Sequence, residues 1–447
     1  MSQRQLHLNA FLLTSGHHVA AWRHPDAQAD AGLNLAHFKQ LAQTAERGKF
    51  DGVFFADGVA VWDYPAEVIG RSGQIGQFEP LTLLSALSTV TERIGLIATA
   101  STTYNEPYHL ARKFASIDHL SGGRAGWNLV TSATDAEARN FNREAHLDHG
   151  VRYERAREFY DVVTALWDSW GDDAFIRDKQ SGQFFDATQL HAPHHKGEHF
   201  SVRGPLNIPR PPQGHPVVVQ AGSSEAGREL AAQTAEVIFT AQQTLDDAQA
   251  FYADVKARLA RYGRSTDSLK ILPGISPIIG RTEDEAQQKF AELQALIDPR
   301  IGVALLSGQL GFNLSGYPLD GPLPDIPETN GHKSRQALVV ALARRDGLTI
   351  RQLAQRVASA RGHWTVVGTP ESIADQLELW FREGGADGFN VMPPVLPTGL
   401  NEFVDLVVPE LQRRGLFRTE YAGKTLREHL GLPRPISRHA RPQAIAA

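Results

Sequence analysis

Residues 216–228, PVVVQAGSSEAGR, decide how the rest of the chain is read. Val217–Gln220 reads as a strand buried on both faces. Gly222 allows a tight turn, and Ser223 and Ser224 stand where N-cap residues precede a helix. A strand, turn and helix in this order leave free backbone N–H groups and the positive end of a helix dipole aimed at one spot. A phosphate or carboxylate fits there, and the two hydroxyls add donors. The same residues also serve a plain helix cap, so the remainder of the chain has to decide between the two.

Working outward, seven further segments read as strands: Leu6–Leu13, Asp51–Asp57, Ile94–Ser101, Arg124–Ser132, Val237–Ala241, Leu272–Gly280 and Gly388–Met392. Helical patterns separate them. Asn34 caps one in which Leu35, Phe38, Leu41, Ala42 and Ala45 keep helical spacing up to Gly48. Glu79-Pro80 and Pro107 open two more. Tyr153, Ala156, Phe159, Tyr160, Val163 and Leu166 form the inner face of a helix over 151–170. Thr282 with Glu285 makes a capping box, and Thr369-Pro370-Glu371 starts a late helix. Alternating strands and helices imply a parallel sheet, and eight repeats suit a closed (β/α)₈ TIM barrel. An open doubly wound sheet is the runner-up, weakened by the lack of any GxGxxG after a strand.

Two stretches break the alternation. Residues 171–215 are rich in Gly, Pro and His and read as an inserted loop or hairpin. Residues 298–335 are too long and too rich in Pro and Gly for a simple connection and read as a lid. The expected organisation is one barrel domain over 1–432 and a loosely ordered tail over 433–447.

Composition narrows the function. The chain has 447 residues, 42% hydrophobic and 21% charged, with a net charge of −5 and no cysteine. An unbiased charge gives no basic surface for nucleic acid. The absence of cysteine excludes thiolate nucleophiles, disulfides and cysteine metal sites. The N-terminus lacks the apolar run of a signal peptide and no stretch approaches a membrane span, so a cytoplasmic protein is expected. His195-Lys196-Gly197-Glu198-His199 fits the H-x-x-E-H pattern of zinc proteases. Gly197 and the strand-like residues that follow argue against the helix that pattern needs, so a surface hairpin is expected and no metal site.

In a (β/α)₈ barrel the active site gathers at the carboxyl ends of the strands. Asp57, the Ser101/Thr102/Thr103 group, Asn128 with Thr131, and Ser223/Ser224 all fall there. The loop after the first strand adds His17, His18, Trp22, Arg23 and His24. Its basic and aromatic content points toward an anionic substrate.

At GHHVAAWRHP (16–25), FDGVFFAD (50–57), STTYNEPYHLARKFASIDHLSGGRAGWNLVTS (101–132) and HKGEHFSVRGPLNIPRPPQGHPVVVQAGSS (195–224), the chain resembles the flavin-dependent monooxygenases of the bacterial luciferase-like superfamily. The branch is that of nitrilotriacetate and dibenzothiophene-sulfone monooxygenases. The resemblance implies a barrel that receives FMN as FMNH₂ from a separate NAD(P)H:flavin reductase. It implies use of O₂ through a flavin C4a-(hydro)peroxide to oxidise a small nitrogen- or sulfur-containing compound, with C–N or C–S cleavage, in a homodimer or homotetramer. By the same resemblance Asp57, Thr102 and Asn128 line the isoalloxazine and ribityl part of the flavin, while Tyr153, Gly222, Ser223 and Ser224 hold its phosphate. Such chemistry needs lids that exclude water and a group that manages a proton. The lid candidates are 14–31 and 298–335, and the proton candidates are His17 and His332, one on each. An F420-dependent oxidoreductase on the same barrel and a non-catalytic flavin-binding protein are the alternatives.

Overall fold

The computed structural model describes residues 4–440. In chain order the strands are β1 (His7–Leu12), β2 (Gly52–Phe55), β3 (Gly95–Ser101), β4 (Ala125–Val130), β5 (His195–Lys196), β6 (Ser201–Val202), β7 (Val217–Gln220), β8 (Val237–Thr240), β9 (Lys270–Ile279), β10 (Trp364–Gly368) and β11 (Gly388–Val391). Eight of them pair in parallel and close a ring in the order β1-β2-β3-β4-β7-β8-β9-β11 and back to β1. Closure rests on β9. Its first half pairs Ile271 with Ile238 of β8, and Gly274 with Asn390 of β11.

Alternation along the strands sorts side chains into two layers. Phe11, Phe54, Ile97, Val219, Phe239 and Leu272 fill the barrel interior. The outward residues, such as Trp127, join Phe114, Phe159 and Trp167 under the surrounding helices. The amino end of the barrel is sealed by the helix Leu426–His429. Gly95 and Gly126 make room for it, because a Cβ on Gly95 would lie 2.5 Å from a Leu426 methyl and one on Gly126 would lie 3.2 Å from the other.

One strand escaped the sequence reading. Trp364–Gly368 pairs in parallel with Ile275–Ile279, the part of β9 that overhangs the ring. A short apolar run placed between helices carries no period of its own. It becomes a strand because β9 leaves an edge free to receive it.

The two insertions also gain definition. Within 171–215 the H-x-x-E-H segment forms the antiparallel hairpin β5–β6, as expected, and His195 Nε2 lies 2.8 Å from Glu158 Oε1. The second insertion reaches well past 335. Helices Pro299–Leu310, Lys333–Asp346 and Ile350–Ala360 pack on one another around Leu306, Leu310, Val339, Leu342, Leu353 and Val357. The helices after 335 therefore belong to this unit, which runs on to β10. Helical spacing alone did not separate them from barrel helices.

Of the tail, residues 433–440 carry contacts: Arg434 pairs with Asp172 at 2.5 Å, and the Pro435 carbonyl accepts from Arg210 at 2.8 Å. Residues 441–447 lie outside the described part. Among the described residues no helix is long and apolar enough to cross a membrane.

Leu426 is fully buried in the plug. Leu426→Ala is expected to lower the unfolding free energy by about 2–5 kcal/mol, since it removes a packed side chain and leaves a cavity between two glycines. Urea unfolding followed by circular dichroism measures this.

Candidate active site

The turn after β7 is built by close backbone contact. Ser224 caps the helix Glu225–Thr234, its hydroxyl accepting from Gly227 N at 3.2 Å. Gly227 lies against Gly222, where a Cβ on it would come within 2.9 Å of the Gly222 carbonyl carbon. A Cβ on Gly222 would in turn lie 3.0 Å from the Tyr153 hydroxyl. Position 227 therefore requires glycine, and a side chain on Gly222 would press on Tyr153 and Gly227 where the turn closes.

The helix His149–Trp167 begins at the same place. His149 and Tyr153, one turn apart, have ring centroids 4.8 Å apart, and His149 Nε2 is 3.4 Å from Ser224 Oγ. Ser223 Oγ is 3.1 Å from Thr240 Oγ1 at the end of β8. The structure thus brings Tyr153, Gly222, Ser223 and Ser224 together and adds His149, which the sequence reading missed. Its signal was the i, i+4 spacing to Tyr153, which sets both rings on one helix face. Hydroxyls, an imidazole and free N–H groups at a helix start, with no carboxylate hydrogen-bonded to either serine, make a donor set suited to a phosphate.

Further along the rim, Asn128 points into the upper barrel. Its Nδ2 donates to Thr99 Oγ1 at 2.8 Å, while its Oδ1 is buried without a partner. A buried acceptor left open in this way awaits a donor, such as a ring N–H of a bound molecule. Thr102 behaves differently. It is fully buried and its hydroxyl donates to the Val130 carbonyl at 3.2 Å, so it fastens the ends of β3 and β4 together.

The lids meet over this rim. Gly16 takes φ +132°, and a Cβ there would lie 2.2 Å from the Pro394 carbonyl oxygen, so only glycine carries the chain past that carbonyl. His17 N then donates to Pro393 O at 3.0 Å. Val19 N reaches Ala358 O at 3.0 Å, and Gln74 Nε2 reaches Gly16 O at 3.0 Å. These bonds tie the 14–31 loop to the helical insertion and to the loop after β2. On the other side Arg152 donates to Asn330 O at 2.5 Å, and Asn330 Oδ1 accepts from His149 N at 3.1 Å. The segment before His332 is thereby fastened to the start of the helix His149–Trp167.

The two histidines occupy different situations. His17 is buried, with Nε2 2.8 Å from Phe11 O and Nδ1 3.2 Å from Arg361 Nη2. Burial, with the Arg361 charge second, holds its pKa well below the usual range. The ring is therefore neutral, Nε2–H donates to Phe11 O, and Nδ1 accepts from Arg361. Neither nitrogen is left for a bound molecule. His332 is exposed, and its ring makes no hydrogen bond to a described residue. Burial among surrounding protein, then the Arg335 charge, pushes its pKa down to about 4. Arg23 is also exposed and donates to the Leu296 carbonyl. Arg361 lies with its guanidinium 5.6 Å from the Phe11 ring centroid, and the partners of Arg335 and Arg361 lie far apart in sequence and left no local pattern to read.

A cavity of about 730 Å³ lies behind His363, between β10 and the helices of the insertion, with Gln243, Gln294, Gln352 and Gln355 in its wall. None of Asp57, Asn128, Tyr153 or Ser224 borders it, so it is separate from the rim described here.

Asp57 ends the run after β2 and is partly buried. Burial first, then the charges of Glu79 and Glu137, raises its pKa to about 6. The folded chain therefore binds a proton there that the unfolded chain, at about 3.9, has already released. From this group, stability is expected to fall as pH rises from about 4 to about 6 and to level off above. Asp57→Asn should flatten that part of the profile, as measured by denaturant midpoints across pH.

With this geometry in view, comparison with known proteins gives a consistent result. Residues 14–388 match the family described as luciferase-like monooxygenase. The N-acetyl-S-(2-succino)cysteine monooxygenase of Bacillus subtilis (strain 168) is 55% identical over 98% of this chain and 99% of its own. Nitrilotriacetate monooxygenase component A of Aminobacter aminovorans is 53% identical over 99% of each. Among solved structures, riboflavin lyase with modified FMN and riboflavin superposes with a TM-score of 0.88 at 33% identity, covering 96% of both chains. The chain belongs to the luciferase-like monooxygenase family and is a flavin-dependent monooxygenase.

Proposed function

We propose that this protein is the oxygenase of a two-component system, taking reduced FMN from a separate NAD(P)H:flavin reductase and oxidising a small nitrogen- or sulfur-containing compound with C–N or C–S cleavage. The observation that carries this reading is the convergence of Tyr153, Gly222, Ser223, Ser224 and His149 at a helix start, on the same rim as the open Asn128 acceptor. A phosphate at one end and a ring N–H at the other describe the two ends of FMN. Reduced FMN bound there supplies the electrons that activate O₂.

The chain's own residues do the rest. Ser223, Ser224, Tyr153 and His149 would hold the phosphate, and Asn128 Oδ1 would accept a ring N–H. Bonds between the 14–31 loop, the loop after β2 and the helical insertion keep bulk water from the mouth. His332, neutral above about pH 4 and free at both ring nitrogens, holds or passes a proton on the open side. His17 acts by position, since its Nδ1 holds the Arg361 guanidinium in place. A separate reductase is supported by the absence of a dinucleotide fingerprint in this chain and by the designation of the Aminobacter relative as component A.

Replacing both Ser223 and Ser224 with alanine should weaken FMN binding by ~10-fold or more while leaving the product unchanged, because each serine donates to an anion and neither meets the substrate. Fluorescence titration of FMN and product analysis measure the two halves of this statement.

His332→Ala should leave FMN affinity unchanged and divert reducing equivalents to hydrogen peroxide, read as the ratio of peroxide to product with a flavin reductase, NADH and ¹⁸O₂. If every amine and thioether tried leaves O₂ consumption wholly uncoupled in the unmodified protein, the monooxygenase assignment to such substrates fails.

A further inference from the structure

We propose that Arg335 and Arg361 form a clamp for a carboxylate of the substrate, so that this oxygenase acts on small amines or thioethers that carry carboxylate groups. The proposal rests on reading the barrel mouth as the substrate site and adds the charge of what enters it.

Several other enclosed arginines are satisfied in one of two ways, while Arg152 donates to two backbone carbonyls, Ser132 O and Asn330 O, and leaves its Nε without a partner. Arg210 pairs with Asp168 at 2.9 Å, Arg418 with Asp51 at 2.5 Å, and Arg427 with Glu236 at 2.5 Å. Arg124 has no carboxylate partner but makes five hydrogen bonds, to Ser121 O, Thr91 Oγ1, Ile94 O, Ser88 O and Thr91 O. Arg335 and Arg361 follow neither pattern. Arg335 donates to Arg361 O at 3.0 Å and to His363 Nε2 at 3.2 Å. Arg361 donates only to His17 Nδ1, and its Nε is buried without a partner. A guanidinium has five N–H donors, so most of the donors on both remain open. Among the described residues no carboxylate lies within ion-pair distance of either.

Their position gives this shortage a direction. The Arg361 guanidinium lies 5.6 Å from the centroid of Phe11, inside the barrel. His363, which holds Arg335, stacks on Phe239 with ring centroids 4.8 Å apart. Both cations therefore sit over the aromatic floor of the mouth, enclosed by protein yet partly accessible. Burial pushes each pKa down to about 10, and the Arg335 charge adds to this at Arg361. Two cations held side by side away from bulk water repel one another, and an anion between them reverses the sign of that interaction. The groups that orient them, His17 and His363, are neutral acceptors and do not neutralise the pair. A planar fork held by a neutral imidazole matches the two oxygens of a carboxylate.

The test is calorimetric titration of the FMN-loaded protein with iminodiacetate and with its neutral diamide. Iminodiacetate is expected to bind at least ~10-fold more tightly than the diamide, and Arg361→Leu and Arg335→Leu should each remove that preference. FMN affinity should stay within about twofold in both variants, because neither arginine meets the phosphate corner. If a leucine variant does not fold, Arg361→Lys and Arg335→Lys serve in its place. They keep the charge, lose the fork, and should show an intermediate loss. Equal binding of the two compounds, no binding of iminodiacetate, unchanged affinity in the variants, or a matching loss of FMN affinity would each overturn the clamp. Because the readout is binding, a failure of oxygenation leaves this result standing. Conversely, oxygenation of an uncharged amine with the clamp disproved would leave the oxygenase reading intact.

Discussion

Everything at the mouth depends on β9 bonding to three strands. Its first half closes the ring between β8 and β11, and its overhanging half receives β10. Without the first pairing the eight strand ends do not face a common centre. Without the second, the helices between β9 and β10 have no fixed return point, and Arg361 and His363, which directly precede β10, have no fixed place. A single ten-residue strand thus sets both the circle of strand ends and the cover above it.

The ring itself was legible because each of its strands is an apolar run bounded by a helix cap or a glycine. Asn34, Ser224, Thr282 and Thr369 cap the helices they were expected to cap. The failures are equally physical. Trp364–Gly368 lacks the length and context that mark a buried strand and is defined by its partner. The helices of the second insertion carry the same amphipathic spacing as barrel helices, so nothing local says that they pack on each other.

The site divides along the same line. Gly222, Ser223 and Ser224 could be read because the strand, turn and helix that orient them are contiguous, and Tyr153 entered through family resemblance. The arginines could not be read, because the acceptors that orient them, at 17, 361 and 363, come from two lids that meet only in three dimensions. Arg23 attracted attention instead, since a dense basic loop is visible in one dimension and the direction of its side chain is not. His17 marks a finer limit. A histidine near a catalytic mouth suggests proton transfer, and only its two hydrogen bonds reveal that it is fully occupied.

The stretch that carries the insertion leaves the end of β9 through the helix Glu283–Ala295 and comes back as β10 alongside that same strand, Trp364 opposite Ile275 and Gly368 opposite Ile279. Its entrance and exit are neighbours, so the length of chain between them costs little closure entropy. None of the ring's own hydrogen bonds runs through it. The corner formed by Tyr153, Gly222, Ser223 and Ser224 lies on β7 and on the helices beside it, outside this detour. Evolution can therefore exchange the detour as a cassette, altering which molecules are admitted while the strands and helices of the ring stay as they are.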